Sequence, residues 1–464
     1  MNKKILIFII SLGFLVRIIN PGYPSLLWDE ASLGYNAFSI LYTGRDEYGK
    51  IMPLILKSFG DYKPGLYSYL SLPFIALFGL NALSVRLPSI ILGTLTILLT
   101  YLLVKTLSPK NERLALLSAA VIAFNPYNIH FSRSAWETNI LTFELVLSAY
   151  FLFNYFKNYS KKFLIFAAVS IGLTLYTYQA GKMISLFLIL IVFSLNLPVI
   201  LKKIKSLFIY FVLPLFIFTL PIIYGLLFDN QSNRLKVVSL FSYPRNSAEV
   251  QQITSETNSF DYQIFHNHLI FFSRNFLLRY FNHYSPRFLA FEGDWQNPRH
   301  SAPYIGVILY PSLIFLIIGL MSGLTNISLK TNLFFLLWFL VAPIPSALTR
   351  DSVQAVRAMS LSIPLVYFIA LGLNVTISYL FRFKTIFRLP VFTAIIIFYL
   401  ASFVYYSDLY YNHLLKKSPS DNLYGYGQAM NYFISNESHY SNLYFTDFYG
   451  QPYIFYLFYS QYPP

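Results

Sequence analysis

Apolar runs of transmembrane length recur along almost the whole of this chain. They lie near residues 5–19, 86–106, 114–129, 140–156, 163–178, 183–200, 207–228, 303–321, 331–348, 356–379 and 389–406. About 20 such residues carry a helix across roughly 30 Å of bilayer hydrocarbon. The expected fold is therefore an all-α polytopic membrane protein with about eleven transmembrane helices. A soluble domain is excluded by composition: 11% of the 464 residues are charged and 56% hydrophobic, against about 25% charged in ordinary soluble proteins. The first run follows Lys3-Lys4, contains Arg17 and leads into Asn20-Pro21-Gly22 without a small-x-small cleavage site, so it reads as an uncleaved helix. A shorter run, Leu66 to Leu80, contains Pro73, follows Pro64 and reads as an amphipathic surface helix. There is no cysteine, hence no disulfide framework and no thiolate nucleophile or ligand.

The net charge of +15 would suggest nucleic acid in a soluble protein. In a membrane protein it mostly records which loops stay cytoplasmic. With the N-terminus inside, the cytoplasmic loops hold Lys3, Lys4, Lys105, Lys110, Arg113, Lys157, Lys161, Lys162, Lys202, Lys203, Lys205, Lys330, Arg382, Lys384 and Arg388. The short outside loops hold only Arg133, Lys182, Arg350 and Arg357. Fifteen against four satisfies the positive-inside rule, and a miscounted span would break the alternation. This makes residues 1–406 a transmembrane module with long external segments at about 20–85 and 229–302. Residues 407–464 form an extracytoplasmic tail. There Gly427 to Ser435 reads as a helix, Asn442 to Thr446 as a strand and Tyr453 to Tyr459 as a further short element, together a piece of a small α/β unit that continues beyond Pro464. The expected location is a prokaryotic plasma membrane.

All cytoplasmic loops are short, and the chain holds neither a G-x-x-x-x-G-K-[ST] nor a G-x-G-x-x-G phosphate cradle. Chemistry is expected outside, where charged residues gather at span ends and are functional candidates by default. The first external loop carries Trp28-Asp29-Glu30-Ala31, then Arg45-Asp46-Glu47 and Asp61-Tyr62-Lys63-Pro64; Arg86-Leu87-Pro88 opens the next span. Asn125-Pro126 is followed by Ser132-Arg133 and Glu137, the last two i,i+4 on a helix. Later come Gly293-Asp294, Arg299-His300 and the stretch from Arg350 to Arg357.

An acidic pair after the first helix, then Lys-Pro, Arg-Leu-Pro and Asn-Pro with Ser-Arg-x-x-x-Glu, resembles the GT-C glycosyltransferases. Within that fold the chain looks most like the superfamily of protein O-mannosyltransferases and aminoarabinose transferases. The likeness is best over residues 1–200; the segments around Asp294, Arg299 and Arg357 look like weaker later motifs. The resemblance implies a polyprenyl-phosphate-linked sugar as donor, a site at the outer membrane face and a first-loop acidic residue as base.

Taken without the family, sugar transfer from a lipid phosphate to a hydroxyl needs a base for the acceptor proton and cations for the leaving phosphate. Asp29, Glu30 and Glu137 are the catalytic candidates. Lys63, Arg86, Arg133, Lys182, Arg299, His300 and Arg357 are the candidates for binding substrate or phosphate. Each has a plainer alternative. The two first-loop carboxylates suit a helix N-terminus, Arg133 and Glu137 suit a surface pair, and Lys63, Arg86 and Arg357 suit anchoring at the interface. His266, His268 and His300 with Glu292 and Asp294 carry ligand chemistry for a divalent cation, at spacings that match no zinc signature; no cofactor is required. Partners expected are the lipid donor, an acceptor that is a protein, lipid or glycan, and membrane lipids. A polytopic transporter or lipid flippase is the alternative; it would place charge at span midpoints, and here only Glu144 lies there.

Overall fold

The computed structural model describes residues 2–228 and 247–464. The start of the expected external segment 229–302 lies outside the described residues. Each expected span falls on a helix: α1 (Asn2–Ile18), α4 (Ala82–Leu107), α5 (Glu112–Phe124) continued by α6 (Pro126–Ser132), α7 (Glu137–Asn158), α8 (Lys161–Thr177) and α9 (Gly181–Ser194). The later ones are α10 (Ile204–Gly225), α13 (Tyr310–Thr325), α14 (Lys330–Ala347), α15 (Met359–Leu380) and α16 (Thr385–Lys417). Among the described residues, six are long and apolar enough to cross a membrane, seven with α5 and α6, which bend by 55° at Asn125-Pro126. The protein is an integral membrane protein. The bend follows from the sequence, because Asn125 is extended (φ −72°, ψ 125°) ahead of proline, whose ring disfavours a helical residue before it.

The segment between α1 and α4 is built, not loose. α2 (Trp28–Thr43) starts where the Glu30 carboxylate accepts the Leu27 N–H, and ends at Gly44, whose φ of 69° closes the helix. A hairpin follows, β1 (Ile55–Ser58) against β2 (Asp61–Pro64), with Leu56 opposite Lys63. Its two-residue turn, Phe59-Gly60, has both φ values positive (53° and 77°), as a primed hairpin turn demands. The hairpin is tied to α2 by Ser32 and Ser58, hydroxyl to hydroxyl at 3.2 Å. The run after it forms α3 (Leu66–Phe78), which packs against α2 and α4 and buries Tyr67, Ser68, Ser71 and Ile75.

External to the bundle, α11 (Ser247–Glu256) and the amphipathic α12 (His268–Asn282) precede the loop that carries Asp294 to His300. After α16 the tail folds as α17 (Tyr426–Asn436) and α18 (Pro452–Tyr459). This corrects the expected α/β tail: Asn442 to Thr446 forms no strand. With Ser, Asn and Asp at its ends and no strand beside it among the described residues, the stretch has no described strand to pair with. α18 instead packs on α2, and Gly450 lies against the Trp28 ring.

Two helices meet backbone to backbone where they cross. A Cβ on Gly319 of α13 would stand 1.8 Å from the Phe368 carbonyl oxygen of α15, and one on Gly372 would stand 1.9 Å from that of Phe315. Small residues permit such close crossings in membranes. Gly319→Ile is expected to cost more than the roughly 1–3 kcal/mol of ordinary overpacking, and to lower the detergent-solubilised melting midpoint clearly; an unchanged midpoint would refute the close crossing.

Candidate active site

Adjacent residues Asp29 and Glu30 face different surroundings. Glu30 is turned into the protein, 2% exposed. Its carboxylate accepts from Arg86 Nε at 2.8 Å and Arg86 Nη2 at 2.7 Å, from the Ala135 N–H at 2.7 Å and from the Leu27 N–H at 3.1 Å. Arg86 is fully buried and spends its remaining N–H groups on the carbonyls of Pro21, Pro24 and Ser25. The pair is a strut between the first loop, α4 and the turn before α7. Asp29 looks the other way, its side chain 32% exposed, with Lys63 Nζ 3.3 Å from Oδ1.

The Asp29 side opens into a pocket at one end of the bundle. It is lined by Asp29, Lys63 and Pro64 from the first segment, Trp136 and Glu137 at the start of α7, Tyr178 and Gln179 between α8 and α9, and Arg299, His300, Gln354, Val356 and Arg357 from the later loops. Six of the ten sequence candidates therefore converge: Asp29, Glu137, Lys63, Arg299, His300 and Arg357. The other four, Glu30, Arg86, Arg133 and Lys182, do not line it. Arg133 closes the end of α1, donating to the carbonyls of Val16, Arg17, Ile19 and Asn20 and resting on the rings of Tyr410 and Tyr411. Arg17 does the same for α5 through Ile122 and Ala123. Helix-end carbonyls are orphan acceptors at the negative end of the dipole, and a buried guanidinium answers both needs. Lys182 lies in the first turn of α9.

The pocket cations differ in their partners. Lys63 pairs with Asp29. Arg357 pairs with Asp351 at 3.1 Å and donates to Thr349 Oγ1 at 2.9 Å. Arg299 has its guanidinium carbon 5.5 Å from the Trp28 ring centre and 5.9 Å from that of Trp136, within the range of cation–π attraction. Among the described residues it forms no ion pair. It is placed by its own carbonyl, which takes a hydrogen bond from His130 Nε2 at 2.9 Å. Asp294 holds the loop: Oδ2 accepts from His300 Nδ1 at 2.9 Å and the Ala355 N–H at 2.7 Å, and Oδ1 from the Asn297 N–H at 2.9 Å. Among the described residues no group of three or more His, Cys, Asp or Glu gathers as a metal site.

Tyr178, Gln179, Trp136 and Gln354 went unremarked in the sequence as site residues. Their one signal is position, since each is an aromatic or amide residue within a few positions of an external span end.

This arrangement of membrane helices and external segments is the GT-C glycosyltransferase fold. Residues 62–224, from just before Lys63 to within α10, match the family model described as dolichyl-phosphate-mannose-protein mannosyltransferase. ArnT from Cupriavidus metallidurans bound to undecaprenyl phosphate superposes with a TM-score of 0.58 at 11% identity, over 98% of this chain and 84% of ArnT. The oligosaccharyltransferase AglB from Archaeoglobus fulgidus, in complex with an inhibitory peptide and a dolichol-phosphate, does so with a TM-score of 0.54 at 16% identity, over 96% of this chain. The chain spans 60% of the length of AglB. No curated protein sequence matches it.

Two consequences can be measured. Arg86→Met leaves the buried Glu30 charge uncompensated and is expected to cost about 3–5 kcal/mol of stability, seen as a large drop in melting midpoint; a near-parental midpoint would remove the strut. Glu47, above the hairpin, has one carboxylate oxygen bonded to Asn36 at 3.2 Å and the other buried without a partner. Burial raises its pKa from 4.5 to about 7. The folded protein thus binds the extra proton between those values, and stability falls as pH rises through that window. Glu47→Gln is expected to flatten the dependence of the melting midpoint on pH between about 4.5 and 7, and an equally steep slope in the variant would exclude Glu47 as its source.

Proposed function

We propose that this protein is a membrane glycosyltransferase that moves a sugar from a polyprenyl-phosphate-linked donor to an acceptor hydroxyl at the outer membrane face. The observation that carries the reading is one pocket, in a GT-C fold, that gathers carboxylates and cations from separate external segments. Asp29 acts as base: it takes the acceptor proton while the acceptor oxygen bonds to the anomeric carbon and the carbon–phosphate-oxygen bond breaks, its electron pair leaving with the phosphate. Attack from the face opposite the phosphate inverts that carbon. Arg299, Lys63 and Arg357 receive the growing phosphate charge.

Of the pocket cations Arg299 is the first choice for the phosphate, because Lys63 and Arg357 already have carboxylate partners. Glu137 stands in the same pocket as a second carboxylate. An apolar cleft between α3, α8 and α10, lined by Leu54, Leu66, Leu173, Tyr176, Ile217 and Phe218, is the seat proposed for the prenyl chain. Leu66 and Tyr176 line the cleft while Pro64 and Tyr178, two residues away in the chain, line the polar pocket. Eleven crossings with the N-terminus inside complete the reading and put the tail outside.

Asp29→Asn is expected to keep the fold and lipid binding and to cut transfer by about 10²–10⁴-fold, the usual weight of an acid-base group; activity within a few-fold of the parent would remove that role. Arg299→Ala should lower binding of undecaprenyl phosphate with the melting midpoint preserved. Sugar transfer directly from a nucleotide sugar in a lipid-free assay would overturn the donor assignment.

A further inference from the structure

His300 stands in the pocket with half of its hydrogen-bonding capacity unspent. The residue is 2% exposed, Nδ1 sits 2.9 Å from Asp294 Oδ2, and Nε2 meets no partner. Asp294 is held by backbone N–H groups of Ala355 and Asn297, and a carboxylate so engaged only accepts. The hydrogen of a neutral imidazole therefore lies on Nδ1, and Nε2 carries a lone pair. Burial draws the imidazole below its usual pKa, against the opposing pull of Asp294, so the neutral ring prevails. The Trp136 indole lies nearly perpendicular to the ring, 5.2 Å away between ring centres. With Nδ1 turned to Asp294, the lone pair lies on Nε2, buried and without a partner among the described residues, on a residue that lines the pocket.

A buried acceptor without a donor is a cost that folds rarely carry unless a ligand or water relieves it. The lone pair repels phosphate oxygens, which are acceptors too, so the anion is the wrong occupant. A hydroxyl fits: it is neutral and donates. His300 follows Arg299 in the chain, and in the donor the sugar is bonded directly to the phosphate assigned to Arg299.

We propose that His300 accepts a hydrogen bond from a hydroxyl of the donor sugar and so selects for the glycosylated lipid over the bare lipid phosphate. This rests on the donor assignment above. Of the two roles expected of His300, binding substrate or phosphate, it takes the first.

The test uses the full chain in nanodiscs with two probes, undecaprenyl phosphate and its mannosyl form, repeated with the glucosyl form. His300→Asn keeps a side-chain N–H for Asp294 but ends short of Nε2, and an unchanged melting midpoint shows that the loop survives. The variant is expected to bind at least one glycosylated lipid about tenfold more weakly, as for one lost hydrogen bond, with bare undecaprenyl phosphate unchanged. Arg299→Ala should weaken both. Equal weakening of both probes by His300→Asn, or of neither, overturns the sugar contact and leaves the donor assignment standing. Failure of the parent to bind any of the lipids overturns the donor assignment, and the sugar contact with it.

Discussion

The buried pair of Glu30 and Arg86 sets the geometry on which the external pocket depends. Removing two charges from water is expensive, and such a pair is tolerated only when the remaining donors and acceptors are also satisfied. Here Glu30 has four donors and Arg86 donates to three carbonyls besides the carboxylate. Those partners belong to the first loop, to α4 and to the turn before α7. The N–H of Ala135 binds Glu30 directly, so Trp136 and Glu137 are positioned by the same carboxylate that caps the start of α2. Asp29, one residue from Glu30, then faces the pocket on the opposite side. The proposed base owes its place to a neighbour that is buried in an ion pair and does not line the pocket.

A second economy runs through Arg17 and Arg133. A helix that stops inside a packed bundle leaves carbonyls unpaired. Arg17 reaches from α1 to the end of α5, and Arg133 reaches from the end of α6 back to the end of α1. The two guanidiniums lock α1, α5 and α6 together. Each could be replaced by water only in a wetter place, and both residues are buried.

These arginines show where the sequence stops being legible. The apolar runs were plain, and every one falls on a helix, because span length and hydropathy are local properties of the chain. Asp29 and Lys63 could be paired from their side of the membrane and their separation. Arg86 and Arg133 looked like Lys63 for the same reason, a cation at an external span end. What separates them is the identity of their acceptors, carbonyls contributed by residues far along the chain, and no local pattern carries that. The Lys63 hairpin was missed because strands of four residues give too little alternation to detect, although Phe59-Gly60 had the glycine of a tight turn. In the tail the difference ran the other way: a short stretch with β-forming Tyr and Phe suggested a strand where, among the described residues, no partner strand stands beside it.

The uneven pairing of the pocket cations bears on the order of events in the proposed reaction. Among the described residues Arg299 forms no ion pair and has the faces of Trp28 and Trp136 beside it, so an incoming phosphate meets it without displacing a carboxylate from among them. Lys63 is different, since its ammonium already compensates Asp29 at 3.3 Å. A phosphate drawn in by Arg299 competes for that ammonium, and whatever share Lys63 gives to the phosphate it withdraws from Asp29. The carboxylate then has more of its charge available to an acceptor hydroxyl only when a donor is present. The demand on Lys63 rises further as the sugar–oxygen bond breaks and charge grows on the phosphate, so the interaction is worth more in the transition state than in the ground state. A pocket in which all cations were free would bind the lipid phosphate more tightly but would leave the base equally exposed with or without its substrate.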